Sequence, residues 1–342
     1  KKMESVLTLS SFTKDCLTSC AYIKNPYSTI PFIATGSIEQ SLMIFEATQK
    51  TNTTHSDQMV DEDESMVVHT GSQQKDMEKT TTLFKLKKKI SLPSSILCLD
   101  TSSSRIVVGL DNGDVKQWAY TVKEGGQLKL EEINDLCQFH VPVSCVSVND
   151  QHIVVGSEDG SIYMYSIANK EGVLKKGDPF PISSIHLNGD CFYSASHMHV
   201  KRWDNNEIVE SIRLTTMDIS EKITSISAMA ARPVVFIGTS KGTLYTWDTR
   251  QKRPSQHISL AMCPIWRIHV LDSLDLLCMA QENGQVSLAQ LVNNQASTPK
   301  VLDNYIAGGI NDMQITRVKN THHHIQLLYV TDHGRIHYQQ YN

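Results

Sequence analysis

The chain repeats itself, and that repetition limits its possible folds more than any other feature. An apolar strand, a tight polar turn and a second strand ending near an aromatic residue read IVVGLDNGDVKQW (106–118), IVVGSEDGSIYMY (153–165), VFIGTSKGTLYTWD (235–248) and LLCMAQENGQVSLA (276–289). Weaker copies are FIATGSIEQSLMIF (32–45), CFYSASHMHVKRWD (191–204) and LLYVTDHGRIHYQQ (327–340). The turn slot falls at Gln40, Gly113, Gly160, Met198, Gly242, Gly284 and Gly334, with gaps of 73, 47, 38, 44, 42 and 50 residues. Asn-Gly, Asp-Gly, Lys-Gly and His-Gly supply the positive φ that a short connection between antiparallel strands requires. Five residues beyond the slot stand Phe45, Trp118, Tyr165, Trp203, Trp247, Ala289 and Gln339, a mostly aromatic series suited to one packing layer between neighbouring sheets.

Upstream of each hairpin lies a strand with an apolar-x-x-apolar pattern, at 17–22, 96–100, 143–148, 182–187, 223–228, 265–270 and 310–315. A fourth strand follows, as at 207–214 and 256–261. Four short strands per unit of roughly 40 to 50 residues, repeated seven times, predict an all-β chain folded as one seven-bladed β-propeller over residues 1–342. The last repeat lacks its fourth strand. The apolar stretch 6–12 has no blade of its own, so it is expected to complete the last blade as its outer strand and remove an exposed edge.

The long first gap comes from an insert, 48–81, which is polar, free of aromatics and acidic at 61–64. It offers too little apolar surface to offset its ordering entropy and is expected to be a disordered loop between the third and fourth strands of blade one. The lysine-rich 83–89 is then that fourth strand, its charges protecting a sheet edge.

Composition narrows the function. With 32 basic against 36 acidic residues the net charge is −4, which argues against a nucleic-acid backbone as partner. No apolar run has the ~18 to 20 residues needed to cross a bilayer, and the first 30 residues are too polar for a secretory signal. Eight cysteines in 342 residues do not make a disulfide scaffold. These features together predict an intracellular, reduced and soluble protein.

The pairs WD at 203–204 and WDTR at 247–250 resemble the WD-repeat (WD40) family, although none of the units opens with the family's Gly-His pair. In the family the turn Asp, that His and the Trp share a hydrogen-bond network, so here packing is expected to hold the blades instead. Residues 145–173, and 240–254 with 265–269, are similar to blades of the WD-repeat nucleoporins in the Y-shaped complex of the nuclear pore. This resemblance implies a non-catalytic scaffold at the nuclear envelope whose partners are other Y-complex nucleoporins. The WDTR segment and an ENGxVSL-like turn also resemble the methylosome WD-repeat subunit. That reading implies an arginine methyltransferase partner and a place in nucleus and cytoplasm. A ubiquitin-ligase substrate receptor, suggested by the WDxR pattern of Trp247, Asp248 and Arg250, and a diphthamide methylesterase-like hydrolase are further readings.

Candidate interaction residues are Trp247, Asp248, Arg250, Trp266 and Arg267, since Trp and Arg are enriched at interface hot spots. Trp247 can equally pack between blades while Arg250 pairs locally. No phosphate-binding loop, dinucleotide glycine motif or GxSxG elbow occurs, so no catalytic residue and no cofactor is expected. Asp111, Glu158, Asp159 and Glu282 sit beside turn glycines and are assigned to turn chemistry. His322, His323 and His324, with His333 and His337 nearby, have no cysteine or carboxylate at ligand spacing, and Cys16 with Cys20 lacks a second pair; no metal is expected.

Overall fold

The computed structural model describes residues 3–9, 16–27, 32–51, 80–215, 217–218, 220–260, 262–304, 308–317 and 325–341. Each hairpin of the repeat is the middle pair of an antiparallel four-stranded sheet, and seven such sheets follow one another, the sixth with an added two-residue strand, Gln295–Ala296. The inner strands are Leu17–Ile23, Ile96–Thr101, Val143–Val148, Ile182–Asn188, Ile223–Ala228, Ile265–Leu271 and Ile310–Arg317. Each packs against the next, and the last returns to the first, so the sheets form a closed seven-bladed ring.

Burial explains the sequence pattern. The second strands Phe32–Ser37, Val234–Thr239, Leu276–Gln281 and Ile325–Thr331 are buried along their whole length. Both of their faces meet a neighbouring blade, which is why they read as continuous apolar runs rather than alternating ones. The outer strand Glu171–Lys176 is almost wholly exposed. The series five residues past the turn slot becomes a single register position. Phe45, Trp118, Tyr165, Trp203, Trp247, Ala289 and Gln339 lie opposite Ile33, Ile106, Ile153, Phe192, Val235, Leu277 and Leu327. All are buried except Tyr165, which is half-buried.

Positive φ occurs at Gln40, Gly113, Gly160, Gly242, Gly284 and Gly334, as the turn chemistry requires. Blade four departs from the expected slot. Ser196 pairs with His199, leaving a two-residue turn, and the positive φ falls on His197 rather than Met198.

The ring closes through the chain's first strand, at 3–9 rather than 6–12: Met3–Leu9 pairs antiparallel with Ile336–Tyr341 as the outer strand of blade seven. In blade one Ser41–Thr51 pairs with Thr80–Ser91, so 48–51 and 80–81, the ends of the expected loop, are strand. The loop's remaining residues, 52–79, lie outside the described residues, as do His322, His323 and His324.

Every inner strand carries the same irregularity. The register shifts between its first and third residues in all seven blades, a β-bulge at the second residue. A bulge leaves its extra residue unpaired and re-aims the side chain. Here it directs polar groups at the next blade. Thr18 Oγ1 donates to Ile96 O (2.7 Å), Ser144 Oγ to Ile182 O (2.5 Å), Thr224 Oγ1 to Ile265 O (2.7 Å) and Asn311 Nδ2 to Leu17 O (2.8 Å).

Candidate functional site

Beyond the bulge, alternation sends the third and fifth residues of each inner strand towards the ring's axis. Blades two to seven thereby line a central channel of about 240 Å³. One layer holds Cys98, Cys145, Ser184, Ser225, Arg267 and Asp312; the next holds Asp100, Ser147, His186, His269 and Gln314.

Arg267 and Asp312 stand on adjacent blades and pair, Arg267 Nε donating to Asp312 Oδ1 at 2.5 Å. The Asp312 side chain is 4% exposed, while Arg267 keeps 29% of its own surface open to the channel. Asp312 also accepts from its neighbour Met313 N (2.9 Å), and through Oδ2 from Cys20 N of blade one (2.9 Å). One carboxylate thus links blades six, seven and one. Asp100 acts similarly between blades two and three, accepting from Val148 N (2.9 Å) and Thr101 N (2.8 Å). Ser147 Oγ accepts from Leu187 N, Ser184 Oγ from Ile226 N, and Ser227 Oγ from Val270 N, each across a blade boundary.

The electrostatics follow from enclosure. Burial pushes the Asp100 carboxyl up to about 7, against the hydrogen bonds from Val148 and Thr101 that favour its ionised form. Burial, with His269 nearby, lowers His186 to about 4, and burial lowers His269 too. Burial raises the Cys145 thiol to about 12 and pushes Cys98 higher still, so neither is a ready nucleophile. Among the described residues no group of three or more His, Cys, Asp or Glu side chains is placed to hold a metal. Chemically, the channel's polar groups join blade to blade.

The residues singled out in the sequence are scattered. Trp247 is 1% exposed, in the core between blades, and its Nε1 donates to Gln251 O (2.8 Å). Asp248 receives Arg250 in a two-pronged pair, Nε to Oδ1 at 2.9 Å and Nη2 to Oδ2 at 2.5 Å, with the Arg250 side chain 68% exposed. Trp203 Nε1 donates to Ser194 Oγ (2.8 Å) on the neighbouring strand. Local partners therefore satisfy both indoles where the family would use its His network. Trp266 occupies the bulge of blade six, half-buried, and Arg267 turns inward to Asp312. Asp159 is a turn residue. Burial opposes its charge, but Ser157 and Ser161 donate to it and hold it at about 2. Cys20 is buried, Cys16 precedes the strand beside Asn311, and His337 stacks on Tyr329 at 4.5 Å.

The channel is not visible in any single inner strand. Its signal was present once the inner strands are aligned on their first apolar residue: the third column reads Ser, Cys, Cys, Ser, Ser, Arg, Asp, with opposite charges on neighbouring blades.

The same repeats identify the family. Residues 72–338 match the family described as the RSE1/DDB1/CPSF1 second beta-propeller. The chain belongs to this family. Among solved structures, it is similar to the WD40 β-propeller domain of Doa1, with 10% identity, a TM-score of 0.69, and coverage of 98% of this chain and 96% of that one. It is also similar to the computationally designed Ika8 protein, with 14% identity, a TM-score of 0.60, and coverage of 96% and 97%. Identities this low speak for the fold alone. No curated protein matches the chain.

Proposed function

We propose that this propeller is a non-catalytic interaction scaffold, a structural subunit of a multi-protein assembly. The observation that carries the reading is how the interior is used: inward-facing polar side chains bond across blade boundaries, Asp312 alone linking three blades. A rigid ring of this kind presents two faces and a rim to several partners at once. Arg250 and Trp266 remain candidate contacts, since both keep surface open.

Within that reading, we place the protein in the Y-shaped complex of the nuclear pore, in support of which stand the resemblances at 145–173 and 240–269. Two measurements test the proposal at its two levels. Endogenous protein fractionated by size should run in particles far larger than its own 38.3 kDa; a free monomer in all fractions defeats the scaffold reading. A fluorescently tagged copy should mark the nuclear rim, and a purely cytosolic signal removes the pore assignment while leaving the scaffold. Release of methanol from a methylated diphthamide intermediate by the purified protein would establish an enzyme instead.

A further inference from the structure

A second opening, larger than the channel, lies off the axis. A cavity of about 420 Å³ lies between blades three and four. Its floor is Met164 and Val154 from blade three with Phe192 and Trp203 from blade four, the two rings stacked at 5.4 Å and 7°. Trp203 Nε1 is already satisfied by Ser194, so the floor is apolar, and beside Val154 the wall carries His152, whose buried Nδ1 has no hydrogen-bond partner among the described residues. The groove stays open where the blade-three residue of the aromatic layer, Tyr165, is only half-buried.

Its mouth is acidic. Glu171 and Asp190 are exposed on opposite walls, and among the described residues neither is ion-paired. The shoulders are apolar. Val173 on the outer strand of blade three is 40% exposed, and Ile208, opposite Trp203 on the outer strand of blade four, is 45% exposed. Lys175 pairs with Glu207 across the two strands at 2.5 Å, holding the shoulders together. The outer strand of blade one, by contrast, exposes Lys85, Lys87, Lys88 and Lys89, the usual protection of a free edge.

We infer that this groove is a docking site for an extended peptide segment of a partner protein, which places an aromatic or branched aliphatic side chain over Phe192 and Trp203 beside a lysine or arginine at Glu171 and Asp190. Its volume suits one large side chain and its neighbours, and an apolar pocket with a few polar groups at the rim is the common form of such sites. The two unpaired carboxylates select a cationic neighbour, and the apolar shoulders extend the contact along the backbone.

The inference rests on the scaffold reading but can fail alone. The test is selection of a random phage-displayed peptide library on the intact propeller, with the E171Q/D190N variant in parallel. Both substitutions are at exposed positions and leave the fold unchanged, as circular dichroism will verify. Enriched peptides are expected to pair a large apolar residue with an adjacent Lys or Arg. They should bind the variant about tenfold or more weakly, the loss expected for a desolvated charge contact. Absence of enrichment, or enriched peptides that bind wild type and variant equally, overturns the groove assignment. Partners retained by the variant in cells would do the same while leaving the scaffold reading intact; a wild-type protein with no partners would remove the scaffold reading itself.

Discussion

Replacing Asp312 by alanine should be among the most damaging single changes in the ring. The side chain is 4% exposed and accepts three hydrogen bonds, from Arg267 Nε, Met313 N and Cys20 N. Losing it leaves the buried Cys20 N–H without its acceptor, at a cost of about 1–3 kcal/mol. It also leaves Arg267 without its counter-charge. A fully enclosed arginine would add several kcal/mol, but the 29% of its surface open to channel water reduces that to roughly 1–2 kcal/mol. The expected loss is therefore about 2–5 kcal/mol. Arg250→Ala is the internal control, because its pair with Asp248 has similar geometry at an exposed site and should cost under about 1 kcal/mol. The assay is equilibrium urea unfolding at neutral pH by circular dichroism and tryptophan fluorescence, comparing midpoints at unchanged slope. A cycle of R267M, D312N and the double variant should show a coupling of about 1–3 kcal/mol. If Asp312→Ala costs no more than Arg250→Ala, or if the cycle is additive, the channel pair does not hold the blades and the explanation given for it is wrong.

Three further outcomes are expected. Deleting residues 3–9 removes six paired positions from the outer edge of blade seven and should lower the stability of the whole ring by roughly 3–6 kcal/mol in one cooperative step; a separate early transition confined to one end would contradict closure by that strand. Stability should fall as pH drops from about 6.5 to about 4, because the folded chain holds His186 and His337 neutral down to about 4 while the unfolded chain protonates them near 6.5. Asp100, held up at about 7, works in the opposite sense over that range, being protonated in the fold and ionised in the unfolded chain, but one carboxyl offsets only part of the two histidines. His186→Gln should flatten the pH–stability curve measured by urea midpoints. Gly160→Ala should cost roughly 2–4 kcal/mol, since a Cβ there meets Asp178 O at 2.1 Å and φ is +82°, whereas Gly125→Ala, with φ +87° and nothing within 4 Å, should cost about 1–2 kcal/mol. Equal thermal shifts for the two would show that the close approach is not what fixes Gly160.

What was legible in the sequence was local. Asn112-Gly113 and Asp159-Gly160 mark their turns because only a few residue types accept positive φ, and the run IVVG marks a buried second strand because both its faces are covered. Even the outer strand of blade seven could be placed at the chain's start, three residues off. The misplacement at Met198 has a physical cause: blade four uses a turn one residue shorter, and His197 takes the conformation that glycine takes elsewhere. The channel was harder because it requires alignment of seven degenerate strands and knowledge of a bulge that shifts each by one residue. Arg267 looked like a surface arginine beside Trp266 until its neighbour on the ring, Asp312, forty-five residues away, was placed against it. The groove between blades three and four depends on how two sheets diverge, which no local pattern encodes.

The most direct test of the scaffold reading is affinity purification of the endogenously tagged protein at moderate salt, with quantitative mass spectrometry of what elutes with it. A structural subunit of the Y-shaped complex should bring down Y-complex nucleoporins in near-equal amounts to the bait. Recovery of an arginine methyltransferase or a ubiquitin-ligase adaptor in their place would contradict the pore assignment, and recovery of the bait alone would contradict the scaffold.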